Sequence, residues 1–375
     1  MPILAAELEN FRNFSSLRAS FSPSVNVITG ENAQGKTNLI EALFYLSSMK
    51  SFRSPKDDPL IRHGGEEAVL RETFHNGQRE FSLEVFLRKN GRKKILKNDV
   101  PVARAADAVG LLPAVLFTPD DLDLIKAGGA ERRRLLDLPL CQMKPLYLET
   151  LSRYNRTLRM KRALVKQDMT PENEMLCDAY NRELSRYGSL ILLERSRYIR
   201  ALEKEASPLL SSLSEEREEL SLSYRTVSAA DPEKSAGENE ALLYDRLSSL
   251  MKSEFESESC LSGVHRDDVE ISLNRFPARV YASQGQMRSI ALSLKLAERE
   301  ILKKGTSSLP VLFLDDVLSE LDYKRQRFIL NHVEGGQIFI TCCDESPLSE
   351  VNEGKVFEFR EGKIVREEER PCIST

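Results

Sequence analysis

An α/β fold with a mostly helical lobe inserted into it is what this 375-residue sequence predicts. Three observations predict it. A strand, a glycine-rich loop and a helix follow one another near the start. A long stretch with helical spacing fills the middle. Apolar strand signals then return near the end, one of them finishing in two acids. At about 150 residues per domain, this length suggests two or three domains.

Taken in order, residues 4–8 and Val25-Asn26-Val27-Ile28-Thr29 read as strands, and residues 37–48 as a helix with Leu39, Leu43 and Leu46 on one face. Phe81-Ser82-Leu83-Glu84-Val85-Phe86-Leu87 alternates with a period of two, and Asn90-Gly91 is a strong hairpin turn. From about residue 122 proline and glycine thin out, and residues 148–165 and 178–206 carry helical spacing. The polar stretch 229–237 interrupts that pattern as a surface loop. Strand signals return at 269–273, 311–314 and 338–341. The expected division is a discontinuous domain, 1–121 with 259–375, and a helical lobe, 122–258. The lobe is too short and too broken for a long coiled coil.

The 41% hydrophobic and 30% charged residues place the chain among folded soluble proteins rather than disordered ones. Lys+Arg total 54 against 58 Asp+Glu, a net charge of −4, so any nucleic-acid binding needs a local basic surface. No apolar run approaches the ~20 residues of a membrane span. Met1-Pro2-Ile3-Leu4 lacks the basic and apolar regions of a secretory leader, which predicts a cytoplasmic protein. Cys141, Cys177, Cys260, Cys342, Cys343 and Cys372 show no CxxC spacing, and there are only four histidines. Reduced thiols rather than a zinc site are expected.

Gly30-Glu31-Asn32-Ala33-Gln34-Gly35-Lys36-Thr37 matches G-x-x-x-x-G-K-[ST] between a strand and a helix, the context this phosphate loop requires. Glycines let backbone N–H groups curl around phosphates, and the helix N-terminus favours negative charge. Lys36 would neutralise β/γ-phosphate charge, and the Thr37 hydroxyl would be a Mg²⁺ ligand. The pattern points to ATP or GTP.

Pro310 marks the opening of a later strand, Val311-Leu312-Phe313-Leu314, which delivers Asp315-Asp316. This is the geometry of a Walker B element. Asp315 would hold Mg²⁺, directly or through water, and Asp316 would orient or deprotonate the attacking water. The 279 positions between Lys36 and Asp315 do not suit a small GTPase or a kinase. Between them, Tyr281-Ala282-Ser283-Gln284-Gly285-Gln286 leads into a helix over 290–302. This second anion site has no lysine, so the economical reading is a cap on the γ-phosphate held by another copy, in a head-to-tail C₂ dimer with two ATPs. Ser283 would donate its hydroxyl, Gly285 would allow close approach and Gln286 would fix the loop. An ordinary helix cap by Ser283 is the alternative.

Val317-Leu318-Ser319-Glu320-Leu321-Asp322 then looks like the D-loop of ABC-type ATPases. Together these pieces resemble the SMC-like branch of the ABC superfamily, and more closely the RecF family of bacterial recombination-mediator ATPases. Leu8-Glu9-Asn10-Phe11-Arg12-Asn13-Phe14, residues 30–38, Lys50-Ser51-Phe52-Arg53, His265-Arg266-Asp267-Asp268, Ser283-Gln284-Gly285-Gln286 and residues 314–322 carry the likeness. So does Arg132-Arg133-Arg134-Leu135-Leu136-Asp137 inside the lobe. The resemblance implies an ABC/SMC-type P-loop ATPase head with an inserted helical lobe, ATP rather than GTP, and a weak, DNA-stimulated ATPase. It also implies an ATP-induced homodimer on single-stranded gaps and duplex DNA, working with RecO and RecR to load RecA. By the same likeness Arg12 lies near the phosphates. The sequence departs from the superfamily in having Asp316 where many members have glutamate. It also has Phe117-Thr118-Pro119-Asp120-Asp121 at the Q-loop, Ile340-Thr341-Cys342-Cys343 at the switch histidine, and Val264 before His265.

Three basic clusters are candidates for DNA phosphates: the hairpin with Arg88, Lys89, Arg92, Lys93, Lys94 and Lys97; Arg132-Arg133-Arg134; and the helix with Arg153, Arg156, Arg159, Lys161, Arg162 and Lys166, where Tyr154 could stack. A solvated helix face would look the same. An ABC transporter motor and an SMC-like structural ATP clamp are the competing readings.

Overall fold

The computed structural model describes residues 1–75, 79–122, 124–228, 230–332, 335–343 and 353–370. Cys372 and Ala229 lie outside them. Backbone contacts divide the chain into two units, Met1–Asp123 with Arg288–Thr375, and Leu124–Met287.

The first unit opens with β1 (Ile3–Phe11), β2 (Phe14–Ser20), β3 (Val25–Thr29) and α1 (Lys36–Ser48). It continues with β4 (Glu67–His75), β5 (Glu80–Arg88), β6 (Lys94–Lys97), β7 (Val100–Pro101), β8 (Ala114–Phe117) and the single turn α2 (Pro119–Leu122). The inserted unit contains α3 (Gly129–Met143), α4 (Pro145–Leu164), α5 (Pro171–Leu213), β9 (Leu220–Arg225), α6 (Ala236–Ser249) and α7 (Met251–Glu256). After these come β10 (Asp268–Leu273), β11 (Phe276–Pro277) and α8 (Ala278–Tyr281). The first unit is completed by most of α9 (Gln284–Thr306), then β12 (Val311–Asp315), α10 (Tyr323–His332), β13 (Ile338–Cys342), β14 (Gly354–Arg360) and β15 (Lys363–Arg370).

Two six-stranded sheets build the first unit. One has the order β2-β1-β4-β5-β6-β7 with antiparallel pairs, the other β15-β14-β3-β13-β12-β8. In the second sheet β14, β3, β13, β12 and β8 run parallel. Parallel strands covered on both faces read as unbroken apolar runs, and β8, β12 and β13 are buried at every residue. β5 instead alternates buried and partly exposed residues, as a sheet with one wet face should. Leu39, Ile40, Leu43, Phe44 and Leu46 of α1 are buried, and the Phe44 ring meets Phe313 edge-on at 6.1 Å. Phe313 in turn stacks on Phe339 at 5.2 Å. Full burial stabilises each such side chain by roughly 1.5–3 kcal/mol, enough to seat α1 firmly on the sheet. Asn90 takes a positive φ of 54° in the β5–β6 turn, as the Asn-Gly pair predicts.

In the inserted unit α5 runs for 43 residues and packs on α4, α6 and β9. Thr170 caps its start by accepting from the Asn173 N–H. β10 differs from expectation. It forms a three-stranded antiparallel sheet with β9 and β11 rather than joining the first unit's strands. Residues 259–287 therefore fall with the inserted unit, not with the discontinuous domain as the 258/259 boundary supposed. The physical reason is that β9, whose pattern is masked by the surrounding polar residues, supplies the missing pairing edge.

Candidate functional site

β3, β13 and β12 are parallel neighbours, so their C-terminal ends form one rim, the place where open α/β sheets hold ligands. The phosphate loop, residues 30–35, leaves β3 there and α1 begins at Lys36. Two glycines make that turn possible. Gly35 has φ +108°, and a Cβ on it would lie 2.8 Å from the Asn13 amide nitrogen. Gly30 has φ +145°, and its Cβ would lie 2.5 Å from the Phe359 carbonyl oxygen. The Lys36 ammonium is folded into the loop, donating to the carbonyls of Gly30 and of Glu31, the latter at 2.8 Å. Asn32 accepts from the Cys343 thiol at 3.2 Å, and the Gln34 carbonyl accepts from Gly362 N–H at 3.1 Å. Ala33 is held at a φ of 64°.

Asp315 ends β12 and Asp316 follows it on the same rim. Thr37 Oγ1 donates to Asp315 Oδ1 at 3.0 Å although the two are remote in sequence. Thr341, at the end of β13 and in register with Asp315, donates to the same oxygen at 2.8 Å. Its hydroxyl also accepts from Asp316 N–H at 2.8 Å. Asp316 adopts a φ of 54°, a left-handed conformation that turns its side chain out of the strand's alternation. The Ser319 hydroxyl closes on it at 2.7 Å to the carbonyl and 3.2 Å to Oδ1. Burial raises the Asp315 pKa, and the neighbouring Asp316 charge adds to the rise; the bonds from Thr341 and Thr37 pull the other way. A cation beside Asp315 would relieve that cost. Thr37 Oγ1 and Asp315 Oδ1 are hard oxygens close enough to share one ion, a donor set that fits Mg²⁺ completed by water and phosphate oxygens.

Arg12 is tied to α1, the helix that follows the phosphate loop. Its guanidinium is bidentate on the fully buried Glu41 at 2.8 and 2.7 Å and donates to the Pro59 carbonyl at 2.9 Å. Glu41, on α1, needs a cation because a carboxylate buried alone is too costly, and Arg12 is spent in supplying one. Arg53 also reaches Glu41 at 3.4 Å, bonds Asn38 at 2.8 Å, and is the arginine whose charge bears on Asp315.

In the inserted unit, Ser283 and Gln286 form a reciprocal capping box at the start of α9. Ser283 N–H donates to the Gln286 side chain at 2.8 Å, and Gln286 N–H to Ser283 Oγ at 3.3 Å. The Gln286 amide also donates to Glu218 at 2.8 Å. Ser283 is exposed at the positive end of a 23-residue helix, with Gly285 in its first turn.

The basic clusters divide sharply. Lys93 turns inward, donating to Tyr45 Oη at 2.6 Å and the Met49 carbonyl at 2.7 Å and pairing with Asp57 at 3.1 Å, which corrects its assignment to DNA. Arg92 and Lys94 are exposed. Arg132 is buried in a bidentate pair with Asp268, and Arg133 donates to the Asp267 carbonyl at 2.6 Å, so that cluster holds the unit together. On α4, Arg153, Arg156 and Arg159 are exposed, Arg153 paired with Glu149 at 2.6 Å. Lys161 is fully buried against Glu254 at 2.5 Å. Tyr154 is buried too, bonded to His265 Nδ1 at 2.8 Å, and offers no ring for stacking.

Sequence reasoning missed Thr341 and Glu41. Thr341 stands where a switch histidine was sought, and only its register beside Asp315 reveals its part. Glu41 sits on a helix read for its apolar face but lies on the opposite side from Leu39, Leu43 and Leu46, so the apolar spacing gave no signal that it is buried.

The family model described as the RecF/RecN/SMC N terminal domain matches residues 3–365. The chain is 38% identical over 368 residues to the DNA replication and repair protein RecF of Agathobacter rectalis, covering 97% of this chain and 99% of that one. It is 38% identical over 345 residues to the RecF of Lachnoclostridium phytofermentans, covering 91% and 92%. Among solved structures it is similar to the recombination mediator protein RecF–ATPrS of the RecFOR pathway, with a TM-score of 0.89 and 33% identity over 96% of this chain and 97% of that one. The RecF–ATP structure gives 0.87 and 33% over 98% and 99%. An Smc head bound to the C-winged helix domain of ScpA, at 16% identity and a TM-score of 0.58 over 98% of each chain, shares the fold.

Proposed function

We propose that this chain, which belongs to the RecF family of the RecF/RecN/SMC proteins, is an ATP-gated DNA-binding protein of replication and recombinational repair. The observation that carries this reading is the rim where Thr37, Thr341, Asp315 and Asp316 meet the phosphate loop, in a chain whose solved relatives include ATP-bound RecF. The loop amides and Lys36 bind the phosphates. Thr37 and Asp315 hold Mg²⁺, which when bound neutralises phosphate charge. Asp316 orients or deprotonates the attacking water. Its shorter side chain suits slow turnover.

The phosphate loop and the helix N-terminus headed by Ser283 belong to different units, and the latter is preorganised and carries no lysine. The reading is that each serves a second copy, so that two chains close over two ATPs. DNA then meets the exposed cations Arg92, Lys94, Arg156 and Arg159, at single-stranded gaps and on duplex. RecO and RecR act with it to load RecA, as the RecFOR pathway of its relatives suggests. It works in the cytoplasm; no described helix is long and apolar enough to cross a membrane.

Size-exclusion with light scattering in ATP, ADP and gapped DNA tests this. Wild type should dimerise with ATP, and Ser283→Arg should stay monomeric while binding ATP normally. A Ser283→Arg chain that dimerises like wild type would refute the trans cap. Turnover that ignores added DNA would leave an ATP clamp rather than a DNA-stimulated ATPase.

A further inference from the structure

His265-Arg266-Asp267-Asp268 has no part in the nucleotide site, yet three of its four side chains are immobilised. His265 Nδ1 bonds the buried Tyr154 hydroxyl at 2.8 Å. Asp267 accepts from Tyr224 Oη at 2.7 Å and Val227 N–H at 3.1 Å, and its carbonyl accepts from Arg133. Asp268 is clamped by Arg132 at 2.7 and 2.8 Å. The turn entering the motif closes from Arg266 N–H to the Gly263 carbonyl at 2.9 Å. Gly263 is required there: at φ +125° a Cβ would lie 2.6 Å from the Tyr154 oxygen. The fourth side chain, Arg266, is exposed.

Arg266 opens on a recess of about 420 Å³, lined also by Arg162, Lys166, Glu258, Ser259 and Cys260. Three cations face one acid. Among the described residues no side-chain hydrogen bond or ion pair engages Arg162, Lys166 or Arg266. The α4 C-terminus would attract Arg162 and Lys166 by its dipole alone. It does not account for Arg266, which a separate, fully braced segment delivers to the same place. The positive field is felt next door: burial first, then Arg162 and Arg266, push the His265 pKa down to about 3, so its ring stays neutral.

We propose that this recess is a phosphate seat in which Arg162, Lys166 and Arg266 together hold one phosphodiester of duplex DNA. The proposal rests on the DNA-binding reading above and gives it a fixed point. Arg156, Arg159 and Arg162, spaced by three, drift slowly across one side of α4 over ~9 Å, and Lys166 follows just beyond its C-terminal end. That row matches the regular line of charge of a duplex, one per ~1.7 Å of axis, better than the irregular charge of an acidic polypeptide.

Fluorescence anisotropy with a short fluorescein-labelled duplex and ATP, titrated with salt, tests it on the full chain. Arg266→Ala should weaken binding several-fold. The triple change Arg162→Ala/Lys166→Ala/Arg266→Ala should flatten the slope of log affinity against log salt by about 0.9, the loss of one phosphate. Arg197→Ala, an equal change of charge at the exposed partner of Glu194, should do neither. Normal ATP binding and an unchanged melting midpoint verify folding, and Arg266→Gln alone serves if the triple variant does not fold. A variant with wild-type affinity and slope overturns the seat while leaving the DNA reading standing. Loss of polyglutamate binding with duplex binding intact overturns it in favour of an acidic polypeptide. Wild type with no salt-dependent duplex binding overturns the DNA reading itself, and the seat with it.

Discussion

In the first unit, three buried charged residues gather around the phosphate loop and the acid-ended strand, while others such as Lys295 and Glu298 pair with each other elsewhere. Lys36, Asp315 and Glu41 are all under a tenth exposed, and Lys36 and Asp315 sit on the rim of the parallel sheet with Glu41 one turn behind. In the inserted unit, buried charge is spent on staying folded: Lys161 with Glu254, Arg132 with Asp268, and Arg195 with Asp137 at 2.8 Å. The first arrangement leaves Asp315 short of a cation, and its raised pKa records the deficit. The second is internally neutralised. The charges around the phosphate loop and the ion pairs of the inserted unit therefore do different work, and removing a charge from each should separate the two.

The largest effect is expected at Asp316. Asp316→Asn should cut ATP turnover about 10²–10⁴-fold while nucleotide binding by fluorescence titration holds, because a positioned base contributes that much. Turnover within threefold of wild type would remove Asp316 from the chemistry. Next comes the other unit. Lys161→Met strands the buried Glu254 carboxylate and should cost about 3–5 kcal/mol in urea denaturation. Lys161→Met with Glu254→Leu should regain most of that loss; a double variant no better than the single would show that the pair is not the cause.

A smaller effect should follow at Thr341. Thr341→Val removes the bonds to Asp315 and to Asp316 N–H, worth roughly 1–2 kcal/mol together, so kcat should fall about tenfold with KM little changed. Thr341→Ser should restore it, and equal loss in both variants would mean that the methyl, not the hydroxyl, matters.

The smallest effect concerns pH. His265 is depressed to about 3 from an ordinary 6.5, so between those values the unfolded chain binds a proton that the folded chain refuses. Its contribution is complete above pH 6.5 and declines as pH falls toward 3, with a slope of at most ~1.4 kcal/mol per pH unit. Denaturation midpoints of wild type between pH 7 and 5 should fall more steeply than those of His265→Asn; parallel curves would exclude His265 as the source.

Much of the nucleotide site was legible because its parts are local. Glycines at 30 and 35 with Lys36 and Thr37 are set by one turn, and Asp315-Asp316 by the end of one apolar strand. The basic clusters were legible only as charge. Whether Lys93 faces solvent depends on Asp57 and Tyr45, and whether Arg132 does depends on Asp268, 136 residues away. Helical spacing on α4 indicates a face but not what covers it, and Lys161 and Tyr154 were placed in the basic stripe for that reason.

By itself the sequence determined the phosphate loop, the acid-ended strand and the α/β class. Each follows from bonds and steric limits within a few residues. Only the tertiary structure decided that Thr341 lies between the two acids' backbone and side chain, that Arg12 is consumed by Glu41, and that β10 pairs with β9. Those outcomes depend on sheet register and on which distant carboxylate neutralises which cation, and no local pattern encodes either.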